Sequence, residues 1–247
     1  MKEVRFFYTP TPFSGELPSD EAQHALRVLR MSMGDELYLM DGQGQFHRAL
    51  ITETDNHHCR YRIEESIEQE PEWQGSIHLA VAPTKHMDRM EWLAEKATEI
   101  GWDRLTLLSC HFSERKVVKT DRLEKIVVAA MKQSHKAWKP EVEEMQPFKQ
   151  FIARKDIPAQ RFIAHCYDEN DLSGGLKPFL LDVLQPQQPA LVLVGPEGDF
   201  SIDEVKAAEA QGFRPVSLGS SRLRTETAAL VAVHLMRLAN RLSFKVQ

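Results

Sequence analysis

From Ser76 onward, short apolar runs alternate with longer amphipathic stretches, and this alternation constrains the fold more than any other feature of the chain. The runs at 77–82, 105–109, 161–166, 190–194 and 215–218 read as strands, and the stretches at 86–100, 121–137, 201–211 and 225–241 read as helices. Strand and helix in turn predict an α/β fold: a parallel sheet with helices on both faces. Within 86–100, Met90, Leu93, Ala97 and Ile100 recur at helical spacing, and Gly101 suits the position just past a helix end. Residues 1–70 look different, mostly β, with strands at 36–40, 46–52 and 59–63 and hairpin chemistry at Asp41-Gly-Gln-Gly44. One helix over 20–29, with Ser19 as its cap, interrupts them. The acidic stretch 64–72, containing Pro71, reads as a linker. The expected division is a small β domain over 1–70 and an α/β domain over 71–247.

Composition matters here mainly for what it excludes. No apolar run approaches the length of a membrane span, and the first residues lack the apolar core of a secretory signal, so a cytoplasmic protein with no membrane partner is expected. The three cysteines, Cys59, Cys110 and Cys166, form no Cys-x-x-Cys pair and point to reduced thiols without a metal. A net charge of −5 argues against a generic nucleic-acid binder, yet residues 111–140 hold eight Lys/Arg against three acids. In a helix from Asp121, capped by that residue with Glu124 completing a capping box, Leu123, Ile126, Val127 and Ala130 fall on one side. Arg122, Lys125, Lys132, Lys136 and Lys139 fall on the other if the helix runs on to Lys139. That side is either a solvated lysine face or an RNA-phosphate surface.

Two glycine-bearing segments near the C-terminus carry the chemistry. Gly195-Pro-Glu-Gly-Asp199 ends a buried run; no Gly-Lys-Ser/Thr follows and no Gly-x-Gly-x-x-Gly is present, so it is neither a Walker loop nor a dinucleotide fingerprint. Its glycines permit close approach of backbone to a flat ligand. Leu218-Gly-Ser-Ser-Arg-Leu-Arg-Thr-Glu-Thr227 places Thr225 as a candidate N-cap and Glu226 in a first helical turn, while Arg222 and Arg224 suit phosphate or planar acceptors. Loops at the ends of such strands wall ligand pockets in open α/β sheets. The following helix is apolar on most faces, as expected of one buried by a second subunit. The histidines form no metal spacing and no triad; His165, at a strand end, reads as a packed or surface residue rather than a pocket wall. Cys166 lacks an activating partner.

These segments resemble the SPOUT class of S-adenosylmethionine-dependent RNA methyltransferases. Lys85, Met90-Glu91, Lys96-Ala-Thr-Glu-Ile-Gly101, Ser113-Glu-Arg115 and Gln133-Ser134, followed by the two C-terminal loops, resemble the RsmE family across nearly the whole chain. Arg5-Phe-Phe7 and His24-Ala-Leu-Arg-Val-Leu-Arg30 are similar to that family's N-terminal segments. The resemblance implies a SPOUT-type parallel sheet closed by a trefoil knot, a PUA-like β-barrel before it, and a homodimer. It implies methylation of N3 of a uridine in 16S ribosomal RNA, within the small (30S) subunit. On it, Val194, Gly195, Pro196, Glu197, Gly198, Leu218, Gly219, Ser220, Leu223, Thr225 and Ala228 hold S-adenosylmethionine. Arg224 orients the uracil or stabilises its anion, and Glu226 positions that arginine or the base. Arg5, Arg27, Arg30, Arg115, Lys116, Arg122, Lys125, Lys132 and Lys136 contact RNA. Asp199 stands where the family commonly has a second glycine, and Arg222 where a β-branched residue is common. The alternatives are a knotted methyltransferase acting on another position, such as a tRNA ribose hydroxyl, and a non-catalytic RNA-binding assembly factor.

Overall fold

The computed structural model describes residues 5–167 and 176–243. The chain divides into two units, Met1–Glu72 with Val128–Lys139, and Trp73–Val127 with Pro140–Gln247. The first boundary lies two residues past the expected one. The division differs from the expected 1–70 and 71–247 in a second way, since 128–139 joins the N-terminal unit. Among the described residues no helix is long and apolar enough to cross a membrane.

The first unit is a sheet of order β1-β2-β3-β4, from β1 (Phe6–Tyr8), β2 (Glu36–Met40), β3 (Gln45–Thr54) and β4 (Cys59–Glu68). β1 runs parallel to β2, and the other pairs are antiparallel. The turn between β2 and β3 is as its composition predicts: Gly42 and Gly44 have φ of 75° and 96°, and Asp41 Oδ1 accepts the N–H groups of Gln43 and Gln45 at 2.7 and 3.0 Å. Alternate residues Leu37, Leu39, Ala49 and Ile51 point into one core with Phe7, Leu17 and Ala22. Residues 15–17 bond the free edge of β4, through Leu17 N to Cys59 O and Tyr61 N to Gly15 O, and so blunt an edge that would otherwise pair with other chains. The helix expected over 20–29 is an α-helical turn, α1 (Ser19–Gln23), capped by Pro18 rather than Ser19, that widens into a π-helix over His24–Val28.

Helix α3 (Asp121–Gln133) is capped by Thr120, one residue before the expected Asp121, because Glu124 N–H donates to Thr120 O at 2.9 Å. It also ends earlier than expected. His135 takes φ 55°, and Lys136 N–H reaches back to Met131 O at 3.0 Å, a Schellman closure with histidine where glycine is usual. Lys136 and Lys139 therefore lie outside the helix, and the expected five-cation face does not form. Lys132 Nζ is 2.6 Å from Glu21, which is 6% exposed, and Lys136 Nζ is 2.9 Å from Glu72. Arg122 pairs with Glu91 at 2.6 Å. Burying the Glu21 carboxylate without a partner would be costly, so Lys132 acts as a structural tie of the first unit.

The second unit is a six-stranded parallel sheet of order β10-β8-β9-β5-β6-β7. Its strands are β5 (Ile77–Val81), β6 (Arg104–Ser109), β7 (Glu141–Pro147), β8 (Gln160–Ala164), β9 (Ala190–Val194) and β10 (Arg214–Val216). Period-two alternation splits the core. Ile77, Leu79 and Val81 of β5 and Val192 and Val194 of β9 face α2 (Met87–Ile100) and α7 (Thr225–Ser243). Ala80, Leu191 and Leu193 face the opposite layer, which contains α4 (Phe148–Ile152) and α6 (Ile202–Ala210). A short α5 (Leu180–Val183) packs on α7. Strands β5, β6 and β7 step one way across the sheet, while β8, β9 and β10 lie on the other side of β5. The order thus reverses beside β5, and the carboxyl ends of β8, β9 and β10 flank that switch point.

His78 is a polar residue on an otherwise apolar strand. It is 3% exposed, with Nε2 2.7 Å from Thr106 Oγ1, whose proton is given to Glu143. The hydroxyl therefore accepts from a neutral imidazole, and burial pushes the His78 pKa down to about 3. The unfolded chain takes up this proton near pH 6.5 and the folded chain only near 3, so stability present above pH 6.5 is lost as pH falls through that window. The slope is up to about 1.4 kcal/mol per pH unit. Urea unfolding at pH 7.5, 6 and 5 is expected to show the decline. His78→Gln, whose amide donates the same bond, is expected to reduce it by one proton's worth. Equal slopes in the two proteins would place the titration elsewhere.

Candidate functional site

Three loops leave the carboxyl ends of β8, β9 and β10, and each is fixed by bonds that its own residue types supply. The loop after β9 turns through Asp199 N–H to Pro196 O at 2.9 Å, with Asp199 at φ 65°. That left-handed conformation explains the position: glycine adopts it freely, and aspartate is among the few residues that tolerate it. The Asp199 carboxylate accepts the N–H of Phe200 and the N–H of Cys166, each at 2.7 Å, and so ties the β9 loop to the β8 loop. A Cβ on Gly195 would stand 3.0 Å from Phe200 N, and one on Gly198 3.0 Å from Phe112 Cβ. A side chain at either position would therefore force its neighbour to shift by a few tenths of an ångström, against backbone at Gly195 and against a side chain at Gly198. Glu197 accepts the N–H of Lys85 at 3.0 Å, which fastens the tip of the loop. Helix α6 then starts at Ser201 with a full capping box to Glu204.

The loop after β10 is held by Ser217. Its Oγ accepts from Gly219 N at 3.2 Å, its N–H donates to Pro178 O and its carbonyl accepts from Leu180 N. Gly219 has φ 128°, where a side chain would be strained. Ala228 N–H donates to Arg224 O at 2.8 Å, so the cap position of α7 is Arg224 and not Thr225 as expected. Thr225 and Glu226 are buried in the first turn, 7% and 8% exposed.

The loop after β8 was not anticipated from sequence. Lys177 Nζ donates to His165 O at 2.6 Å and to Tyr167 O at 2.5 Å, and Tyr167 OH donates to Phe200 O at 2.7 Å. Burial, reinforced by the Lys177 ammonium, pushes the His165 pKa down to about 4 against the pull of Asp199. The imidazole is neutral at neutral pH, and its buried Nε2 has no partner among the described residues. Partial burial and Asp199 hold the Cys166 thiol above its ordinary pKa, unlike a nucleophilic cysteine.

The three loops enclose one cleft with two adjoining lobes of about 570 and 580 Å³. Gly198, Leu223 and Ala228 wall both, together with Ala164, Cys166, Asp199 and Arg222. Leu218, Gly219 and Ser220 line the first, beside His165, Tyr167 and Lys177. Val194, Gly195, Pro196, Glu197, Arg224 and Thr225 line the second, with Arg89 of α2. The residues expected at the cofactor therefore share one cleft, and His165 is a wall residue rather than a merely packed one. Glu226 lines neither lobe. Its Oε1 is 3.7 Å from Arg89 Nε, and its buried Oε2 has no partner among the described residues, so the cation it faces is Arg89. Arg89 left no local mark in the sequence; the ends of the strands would have pointed to the β8 loop.

The cations expected to meet RNA are dispersed. Arg5 donates to Leu29 O at 3.3 Å, closing the end of the N-terminal helical segment, while Arg27 and Arg30 are exposed. Lys125 is also exposed. Arg115 and Lys116 line a separate cavity of about 390 Å³ with Lys85, Glu114 and Val117. Among the described residues no group of three His, Cys, Asp or Glu stands ready for a metal ion.

Comparison with known proteins gives the site a context. A family model for an RNA methyltransferase domain matches residues 71–237, and one for an RNA methyltransferase PUA domain matches residues 17–64. The Ribosomal RNA small subunit methyltransferase E of Synechocystis sp. is 31% identical over 222 residues, 88% of this chain and 70% of that protein. A probable rRNA-methyltransferase from Porphyromonas gingivalis superposes with a TM-score of 0.90 at 41% identity, over 97% of this chain and all of that one. The Ribosomal RNA small subunit methyltransferase E of Neisseria gonorrhoeae, bound to S-adenosyl methionine, superposes with a TM-score of 0.80 at 27% identity, over 96% of this chain and 98% of that one.

Proposed function

Because this chain belongs to the RNA methyltransferase family and carries that family's PUA domain, we propose that it moves the methyl group of S-adenosylmethionine to N3 of a uridine in 16S ribosomal RNA. One observation carries the reading: the loops after β8, β9 and β10 wall a single two-lobed cleft, with the expected cofactor residues and Arg224 around it. The cleft suits the cofactor. Its walls offer backbone amides at two glycine-bearing loops, and the neutral imidazole of His165 lines the first lobe. When bound, the sulfonium supplies an electrophilic methyl group.

The chain's own residues then have two tasks. The first is positioning, which contributes roughly 7–11 kcal/mol in well-oriented systems. The second is favouring loss of the N3 proton, which spreads negative charge onto the uracil carbonyl oxygens. Arg224 lines the second lobe and meets that charge with its planar fork. Arg89 enters the same lobe from α2, and Glu226 holds it from behind. N3 lies on the Watson–Crick edge, so the uridine must be unpaired or drawn out of its stack. Arg27 and Arg30 of the PUA unit are exposed and suited to flanking phosphates.

The reading extends to a homodimer, a trefoil-threaded C-terminal segment and an assembled small subunit as substrate, in the cytoplasm. Half-buried Leu230 and Val231 on α7, with Trp92 on α2 42% exposed, support the dimer by leaving apolar surface on both helices. The test is nucleotide mapping: 16S RNA from a strain lacking the protein is expected to lose one N3-methyluridine and regain it on complementation. A lost ribose 2′-O-methyl group instead would favour the rival chemistry.

A further inference from the structure

The small cavity beside the cofactor loop is built on a turn at Cys110–Ser113. Ser113 Oγ accepts the Cys110 N–H at 3.0 Å, and Ser113 N–H donates to the Cys110 carbonyl at 3.2 Å. Glu204 Oε1 accepts the His111 N–H at 2.8 Å while its Oε2 completes the cap of α6. The turn is therefore closed by its own Cys110–Ser113 bonds and tied through His111 to a buried helix start, yet its tip displays Phe112, 48% exposed. Water around so large a ring is unfavourable, and the ring packs only in part: it meets His111 edge-on, with centroids 4.6 Å apart, and borders Gly198 through its Cβ and the nearest ring atoms. Next to it, Lys85, Arg115 and Lys116 line the recess against one acid, Glu114. The Lys85–Glu114 pair, at 2.9 Å, has both side chains more than half exposed, so an incoming anion displaces it easily. Both backbone groups of Lys85 are committed, its N–H to Glu197 of the cofactor loop and its carbonyl to Arg115, which locks the recess to the cleft.

A rigidly displayed aromatic ring beside a cationic recess is complementary to one unstacked nucleotide, its base on the ring and its phosphate among the cations. We infer that Phe112 with Lys85, Arg115 and Lys116 forms a subsite for a nucleotide flanking the methylated uridine, an inference that rests on the RNA methyltransferase reading. Extracting the target base leaves its neighbour without a stacking partner, and Phe112 replaces that partner.

The test compares wild type, Phe112→Ala and Phe112→Trp in binding to 16S RNA and to small subunits from a strain lacking the protein, with methyl transfer and calorimetry of S-adenosylmethionine alongside. Alanine keeps the Cβ that meets Gly198. Phe112→Ala is expected to weaken RNA binding and raise KM about tenfold, with kcat and cofactor affinity within twofold of wild type and with tryptophan restoring both. Unchanged RNA affinity, or a parallel loss of cofactor affinity, would overturn the subsite. Binding is read without turnover, so a wild type that binds RNA but does not methylate it would defeat the proposed function and still leave the subsite decided.

Discussion

Arg224→Ala is expected to lower kcat by about 10²–10³-fold, the usual consequence of removing a donor aimed at developing negative charge. The thermal midpoint and the affinity for S-adenosylmethionine should stay close to wild type. Arg224 is exposed at the cap of α7, where its backbone carbonyl starts the helix and the residue lines the second lobe of the cleft. An exposed side chain of this kind contributes little to stability, within about 0.5 kcal/mol. Single-turnover methyl transfer, calorimetry with the cofactor and a thermal melt separate the possibilities. A variant that melts early would show a structural arginine, and one with full turnover would move the uracil contact to Arg89. Arg224→Lys keeps the charge but loses the planar fork, and should recover only part of the rate.

Asp199→Ala is expected to destabilise the second unit by about 2–3 kcal/mol and to weaken S-adenosylmethionine binding tenfold or more. Two losses combine. The Cys166 and Phe200 N–H groups lose their acceptor, at roughly 1 kcal/mol each where water reaches them. Alanine must also hold φ 65°, at about 1 kcal/mol, without the local hydrogen bonds that make it tolerable for aspartate. Asp199→Gly removes the strain but not the lost bonds, and Asp199→Asn keeps one acceptor. Urea unfolding and calorimetry should therefore rank the variants Asn, Gly, Ala from mildest to most severe. A glycine variant as impaired as alanine would mean that the tie between loops matters and the backbone conformation does not.

How far the sequence could be read follows from where its signals are local. The buried strands of a parallel sheet are continuous apolar runs, so β5, β6 and β9 were legible to within a residue. The glycine loops after β9 and β10 were legible because glycine and proline mark turns directly. Edge strand β7 was not: Glu141-Val-Glu-Glu-Met-Gln-Pro147 buries little and has no apolar run to detect. The β8 loop joined the site through the order of strands in the sheet, a property no short window contains. The basic face does not form for one local reason, a left-handed histidine ending the helix without glycine, and one non-local reason, acids distant in sequence that claim Lys132, Lys136 and Arg122. The resemblance has Glu226 position Arg224 or the base, whereas its neighbour in space is Arg89, on a helix more than a hundred residues earlier.

The discontinuity of the first unit bears on how the protein is made. When a ribosome has released residues 1–72, the nascent unit still lacks Lys132 for Glu21, Lys136 for Glu72 and the Lys139 N–H for the Gly42 carbonyl. Its last packing partners emerge some sixty residues later, after β5, α2 and β6 have left the exit tunnel. Vectorial folding, one domain finished before the next begins, is thus closed to this chain, and a fragment cut at residue 72 would carry a sequestered carboxylate with no counter-ion.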